Sequence, residues 1–246
     1  MPHVVHCDQR IHYSVAGTGP LVVFQHGLLS SAVSWRQNGF VDALADRFQV
    51  ACVDSLGHGR SAKPTDPTRY GSEQRAGDLV AVIDALGAER AHVVGYSMGS
   101  WLAVAVARHQ PARLASLVIG GWDCVRGTAS SRPAQMQGPI TFETLIAGAR
   151  AAAPELVAWI TADIEPGLRA CWDALEDMQG SREAVLGAGV PVLLWDGQDD
   201  PYHAPMTAFA AANGLPMLST PGDHLTAVTQ HGAEAARGLR AFLESI

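Results

Sequence analysis

A serine between two glycines is the residue in this chain best suited to covalent chemistry. Ser97 is the centre of Gly95–Gly99, a Gly-x-Ser-x-Gly stretch between an apolar β-branched run and a helix-forming run. A sharp strand-to-helix turn crowds the positions two before and two after its apex, and glycine there removes the colliding side chains. The pattern predicts a serine hydroxyl held above a sheet, with the Met98 backbone N–H behind it at a helix N-terminus.

A catalytic serine needs two partners further along the chain. Serine is a poor nucleophile at neutral pH, so it requires a histidine base and a carboxylate that orients this base. Of the ten histidines, His224 lies in a Gly-rich loop after the last predicted core strand. The turn before that strand offers two carboxylates, Asp199 and Asp200. The order Ser, Asp, His therefore indicates acyl transfer to water.

The elements that must position these residues alternate between strands and helices. Buried strands are predicted at 21–24, 49–54, 92–94, 114–119, 190–195 and 215–218, with an edge hairpin at 3–15. Helical periodicity separates them, most clearly from Ser72, a predicted N-cap, to Gly87 and from Trp101 to His109. This alternation favours a mainly parallel sheet, which binds ligands beyond the carboxyl ends of its strands.

One segment interrupts this alternation. Residues 122–180 contain several short helical stretches, with prolines near their starts at 139, 154 and 166, and no strand-like run. We predict a helical cap over 122–180, inserted into a core formed by 1–121 and 181–246. Some of its aromatic residues should line a pocket, although most should be core. The candidates for substrate contact are Trp122, Phe142, Trp159 and, next to His224, Leu225.

Composition limits the classes of protein to consider. The 246 residues carry a net charge of −7, which argues against nucleic acid as a partner, and 48% are hydrophobic. No run approaches the roughly eighteen apolar residues that span a membrane, and the first residues lack the pattern of a signal peptide, so we expect a cytoplasmic protein. The cysteines, Cys7, Cys52, Cys124 and Cys171, are predicted to be reduced, semi-buried thiols. No histidine has metal-ligand spacing, so neither a metal nor another cofactor is expected.

These elements together resemble the α/β-hydrolase family over nearly the whole chain. The resemblance is carried, in chain order, by His26-Gly27, the Asp-x-x-Gly-x-Gly-x-Ser turn at Asp54–Ser61, the Ser97 elbow, the Gly-x-x-Asp turn at Gly197–Asp200, and His224. It implies the α/β-hydrolase fold, a mostly parallel sheet with helices on both faces. The family's spacing selects Asp200 as the triad acid over Asp199. The family's oxyanion loop adds the Leu28 N–H as second donor beside Met98.

The resemblance implies hydrolysis of a small-molecule ester, and several branches remain to be weighed. Haloalkane dehalogenases and epoxide hydrolases of this fold use an aspartate nucleophile, which Ser97 excludes. Carbon-carbon bond hydrolases commonly carry an aromatic residue after the histidine, where Leu225 stands. A carboxylesterase is the first hypothesis and an enol-lactonase the nearest alternative. A small-molecule receptor with residual turnover is the alternative from a different class, and a homo-oligomer is left open.

Two further histidines and two aspartates are expected to have structural roles. His26 and His58 are predicted to hydrogen-bond and pack the loops around the site. Asp54 and Asp196 end core strands, where carboxylates more often brace loops than perform chemistry.

Overall fold

A twisted sheet forms the centre of the protein in the computed structural model, which describes residues 2–126, 141–152, 154–175 and 178–246. Within these residues, eight strands form one sheet of order β1-β2-β4-β3-β5-β6-β7-β8. The strands are β1 His3–His6, β2 Gln9–Ala16, β3 Leu21–Gln25, β4 Gln49–Val53, β5 Ala91–Tyr96, β6 Leu114–Gly120, β7 Val192–Gly197 and β8 Met217–Thr220.

The sheet is parallel except at one edge. β1 pairs antiparallel with β2, and β2 pairs antiparallel with β4. From β4 to β8 every neighbouring pair is parallel. The predicted edge hairpin and mainly parallel sheet are therefore confirmed.

Helices cover both faces of the sheet. They are α1 Val33–Gln37, α2 Phe40–Leu44, α3 Ser72–Ala85, α4 Met98–His109, α5 Phe142–Ala152, α6 Pro154–Val157, α7 Glu165–Asp173, α8 Ser181–Leu186, α9 His203–Asn213, α10 Thr226–Thr229 and α11 Gly232–Glu244. Because successive strand residues face opposite sides, Val23 packs with α3 and α4, whereas Val22 and Phe24 pack with α2 and α11. Strands buried on both faces explain the continuous apolar runs.

Several boundaries differ from the predictions. The helical stretch expected after the first buried strand is two helices, because the chain turns at Gly39 with φ +85°. Ser72 is the first residue of α3 and not its cap; its hydroxyl hydrogen-bonds to His109 Nε2 instead. The last strand begins at Met217, two residues later than predicted. Helices α8 and α10 were not predicted.

The described part of the predicted cap contains three helices, α5, α6 and α7, joined by turns, and none of its described residues lies in a strand. Pro154 begins α6, and Pro166 is the second residue of α7, where a missing N–H costs no helical hydrogen bond. Pro139 lies outside the described residues. The division into a core and an inserted cap stays a prediction. No helix in the described part of the chain has the length and apolarity to cross a membrane.

Aromatic rings fill the core beneath β3 and β7. The Phe40 ring lies 4.9 Å from Trp35 and 5.6 Å from Trp195, measured between centroids, and Phe40 is fully buried. Such tilted and edge contacts add to the free energy of burial. Phe40 in α2 therefore links Trp35 of α1 to Trp195 of β7.

We predict that Phe40→Ala lowers the free energy of unfolding by about 3–5 kcal/mol, because it leaves a cavity among these rings. Urea denaturation followed by tryptophan fluorescence measures the change. Val33→Ala is the matched control: Val33 lies in the neighbouring helix and is 56% exposed. Equal stabilities of the two variants would contradict this account of the core.

Candidate active site

The turn between β5 and α4 holds Ser97 in a conformation that few non-glycine residues adopt. Ser97 has φ +57° and ψ −122°. A Cβ on Gly95 would overlap the carbonyl of Gly99, and a Cβ on Gly99 would overlap the carbonyl of Gln25 in β3. Both glycines are therefore required for the close approach of α4 to the sheet. Ser97 itself is partly exposed above the sheet.

The structure brings Ser97, His224 and Asp200 into one hydrogen-bonded line. Ser97 Oγ lies 3.0 Å from His224 Nε2, and His224 Nδ1 lies 2.7 Å from Asp200 Oδ2. An ionised carboxylate only accepts, so Nδ1 carries the proton and the Nε2 lone pair faces the serine hydroxyl. The Asp200 side chain is buried, whereas that of His224 is 41% exposed. This arrangement can activate a serine and leaves one side of the base open.

Asp199 lies apart from this line. It is exposed, and its backbone N–H donates to the Gly222 carbonyl. The side chain of Asp200 instead points inward, where its second oxygen accepts the Tyr202 N–H at 2.9 Å. The strand β7 ends at Gly197, and in the turn that follows it the side chains of Asp199 and Asp200 point in opposite directions.

Two tyrosines that sequence reasoning missed hold the histidine. The Tyr96 hydroxyl donates to the His224 carbonyl at 2.8 Å, and its ring lies 5.4 Å from the imidazole. The Tyr202 ring lies 5.8 Å from the imidazole. The sequence held a signal for Tyr96, because it is the last residue of a strand and directly precedes Ser97. Side chains alternate between the two faces of a strand, so the Tyr96 side chain lies on the face opposite that of the preceding residue.

The loop after β3 lies beside the serine. A Cβ on Gly27 would be 3.2 Å from Ser97 Cβ. His26 Nδ1 donates to the Gly27 carbonyl at 2.8 Å, because His26 Nε2 already accepts the Ser55 N–H. The Gly27 carbonyl and the Leu28 N–H belong to the same peptide and point in opposite directions. The hydrogen bond from His26 to that carbonyl therefore fixes the direction of the Leu28 N–H. Among the described residues, nothing accepts a hydrogen bond from that N–H.

A second histidine and a tryptophan hold the next two carbonyls of the loop. His58 Nε2 lies 2.6 Å from the Leu28 carbonyl, and Trp159 Nε1 donates to the Leu29 carbonyl at 3.4 Å. Burial lowers the pKa of His26 to about 4 and holds that of His58 well below its ordinary value. Both histidines are therefore neutral and hydrogen-bond the loop, as predicted.

Buried carboxylates brace the neighbouring turns. Asp54 accepts the Ala32 N–H at 2.8 Å and the His12 ring nitrogen at 2.9 Å. Asp196 accepts the Gly121 N–H at 2.8 Å. Burial, and then the nearby Asp200 carboxylate, raise the pKa of Asp196 to about 8. Both aspartates have the bracing contacts that the sequence indicated.

The predicted substrate-contact residues lie in different surroundings. Trp122 and Phe142 are buried, and the guanidinium of Arg169 lies 4.5 Å from the Phe142 ring centroid. Trp159 is half-buried against the loop after β3, and Leu225 is 38% exposed beside His224. The contacts found in the described residues place Trp159 and Leu225 near the site, and they link neither Trp122 nor Phe142 to Ser97. No three His, Cys, Asp or Glu side chains in the described ranges could hold a metal ion.

Comparison with known proteins identifies the family. The family model described as alpha/beta hydrolase fold matches residues 20–150, more than half of the chain. The chain belongs to the α/β hydrolase fold family. A solved enol-lactonase from Burkholderia xenovorans LB400 has this fold too: it covers 99% of this α/β hydrolase with a TM-score of 0.78 and 22% sequence identity.

Curated relatives match a shorter part of this α/β hydrolase. The provisionally named carbamate hydrolase RutD of Azorhizobium caulinodans is 33% identical over 123 residues, which are 50% of this chain and 45% of that protein. Epoxide hydrolase B of Mycobacterium tuberculosis is 41% identical over 101 residues, which are 41% of this chain and 28% of that protein. The matches thus span less than half of either relative.

The raised pKa of Asp196 predicts a distinctive pH dependence of stability. Between about pH 4 and about pH 8 the folded protein keeps the Asp196 proton, whereas the unfolded chain releases it. The unfolded state therefore binds fewer protons, and this residue makes the free energy of unfolding fall as the pH rises through that window. Asp196→Asn, which still accepts from Gly121, should flatten the fall.

Urea unfolding at several pH values between 5 and 8 measures this effect. The matched control is Asp199→Asn, which changes an exposed carboxylate three residues away. Parallel pH profiles for wild type and Asp196→Asn would contradict a protonated Asp196.

Proposed function

We propose that this α/β hydrolase is a serine hydrolase that cleaves carboxylic esters of small to medium apolar substrates through an acyl-Ser97 intermediate. One observation carries the proposal: the continuous line from Ser97 Oγ through His224 to the buried carboxylate of Asp200, at 3.0 and 2.7 Å. A nucleophile, a base and an orienting acid at these distances are the parts that ester hydrolysis requires.

The reaction follows from the proton positions. Ser97 Oγ attacks the ester carbonyl while His224 Nε2 takes its proton, and Asp200 stabilises the resulting imidazolium. When the tetrahedral intermediate collapses, Nε2 returns the proton to the leaving alcohol. Water then enters at the open side of His224 and attacks the acyl carbon while Nε2 takes one of its protons. When this second tetrahedral intermediate collapses, Nε2 returns the proton to Ser97 Oγ and the acid leaves.

Two backbone donors form the proposed oxyanion hole. Met98 is the first residue of α4, so its N–H has no acceptor within the helix. The Leu28 N–H belongs to the peptide that His26 holds by its carbonyl. Side-chain donors in such holes contribute about 2.7–4 kcal/mol to transition-state stabilisation.

An apolar substrate fits the surroundings of the nucleophile. Leu28, Met98 and Trp159 lie around the serine and its loop, with Leu225 at the outer edge. A cyclic ester needs the same machinery, with the leaving alcohol tethered to the acyl group. Enol-lactones are therefore the second substrate class, and the likeness in fold to an enol-lactonase is consistent with it.

We predict that Ser97→Ala lowers kcat for a p-nitrophenyl ester by about a million-fold, because the remaining groups only bind and polarise the carbonyl. Release of p-nitrophenol measures turnover, and circular dichroism confirms the fold. Undiminished hydrolysis would refute the nucleophile. A serine-directed phosphonate, followed by intact-protein mass spectrometry, separates an efficient hydrolase, which labels fast, from a receptor, which labels slowly.

The choice of acid is tested by a matched pair of neighbours. Asp200→Asn should lower kcat by about ten-thousand-fold, because an amide stabilises the wrong tautomer of His224 and no imidazolium. Asp199→Asn should leave kcat within about twofold, since that side chain points into solvent. Steady-state kinetics on a panel of esters and lactones graded by acyl length gives both values and the preferred substrate. The reverse order of effects would exchange the two roles.

A further inference from the structure

A cysteine, a histidine and an aspartate form a second hydrogen-bonded line, outside the candidate active site. Cys7 is exposed in the two-residue turn between β1 and β2. Its Sγ lies 3.5 Å from His6 Nε2, and His6 Nδ1 lies 2.9 Å from Asp78 Oδ1 in α3. The prediction of semi-buried thiols is wrong for Cys7, which is exposed. Because Cys52, Cys124 and Cys171 are buried, Cys7 is the only one of the four thiols that is open to reagents.

The proton positions in this line follow from its partners. The Asp78 carboxylate accepts, so His6 Nδ1 carries the proton and the Nε2 lone pair faces the thiol. The hydrogen bond to Asp78 raises the pKa of His6 above its ordinary value. Arg75 Nε lies 3.3 Å from the second oxygen of Asp78, so the buried carboxyl group has a cationic neighbour on the side away from His6. His6 is thus oriented as a base toward Cys7.

A glycine inside α3 provides the space for the imidazole. A Cβ on Gly77 would overlap His6 Cε1 and lie 2.6 Å from His6 Nε2. Glycine in a helix interior is less favourable than alanine. At the hairpin, Cys7 and Asp8 both have positive φ, 46° and 61°, which is unfavourable for residues with a Cβ. The helix glycine thus lies beside the imidazole of His6, and the positive φ angles lie at the turn that exposes the thiol of Cys7.

We propose that Cys7 is a modification site for low-molecular-weight disulfides, with His6 as the base and Asp78 as the residue that orients it. In other proteins, thiols are activated by the same arrangement, in which the nucleophile is hydrogen-bonded to a base and a third group orients that base. This site lies in the edge hairpin and goes beyond the proposed ester hydrolysis.

The exchange needs one co-reactant, a disulfide R–S–S–R. His6 Nε2 takes the Cys7 proton, and the thiolate attacks one sulfur of the reagent. The S–S bond of the reagent breaks as the Cys7–S–S–R bond forms. The departing thiolate, R–S⁻, takes the proton from His6 Nε2–H and leaves as R–SH.

The rate of modification tests the proposal. Native protein is treated with glutathione disulfide at pH 7, and peptide mass mapping follows the adduct on each cysteine. We expect the adduct at Cys7 alone, and His6→Gln should form it more slowly, by about tenfold or less, because a glutamine side chain cannot take the proton of the thiol. His3→Gln, an exposed histidine of the same strand, is the matched control and should react like wild type.

A second reagent and a second variant complete the test. Iodoacetamide also needs the thiolate but carries no disulfide, so it should show the same ratio between wild type and His6→Gln. Gly77→Ala, which displaces the imidazole, should slow both reactions while circular dichroism shows the folded protein. Equal rates for wild type and His6→Gln, or a Cys7 no faster than free cysteine, would overturn the proposal. If His6→Gln fails to fold, the comparison with free cysteine decides alone.

Discussion

The left-handed backbone of Ser97 is the constraint on which the surrounding structure depends. A serine at φ +57° is unfavourable by itself, and it is held because β5, α4 and β3 approach more closely than side chains at 95 and 99 would permit. The same approach brings the loop after β3 beside the serine. The geometry of the nucleophile and that of the proposed oxyanion hole therefore have one cause.

Ring nitrogens, and not backbone ladders, hold the loop that faces the serine. Three successive carbonyls, of Gly27, Leu28 and Leu29, lie against His26, His58 and Trp159. The loop lies outside the strands and helices, and besides the Ser30 N–H, which donates to the Gly27 carbonyl, these three uncharged side chains hold its carbonyls. Burial keeps both histidines uncharged, so their rings bring no positive charge to the loop at neutral pH.

The sequence predicted most strongly what local patterns determine. Continuous apolar runs located the strands, and glycine spacing located the Ser97 turn, because both effects act within a few residues. The family resemblance, and not periodicity, separated Asp200 from Asp199, and the structure shows why they differ: one side chain points inward and its neighbour points outward. Tyr96 and the Trp159 contact depend on packing between distant segments, which no local pattern contains. The split at Gly39 was missed because helical spacing continues across it.

The exposed side of His224 has a consequence for what the proposed acyl-enzyme would react with. An imidazole that is 41% exposed meets bulk water directly, and water at its liquid concentration far exceeds any dissolved alcohol. Transfer of the acyl group to a second alcohol would require a surface that holds this alcohol and excludes water near Nε2. With the imidazole open to water, the proposed acyl-enzyme reacts mainly with water, which gives the free acid, and not with a second alcohol, which would give a new ester. The exposure of His224 thus favours hydrolysis of the proposed acyl-enzyme over synthesis of a second ester.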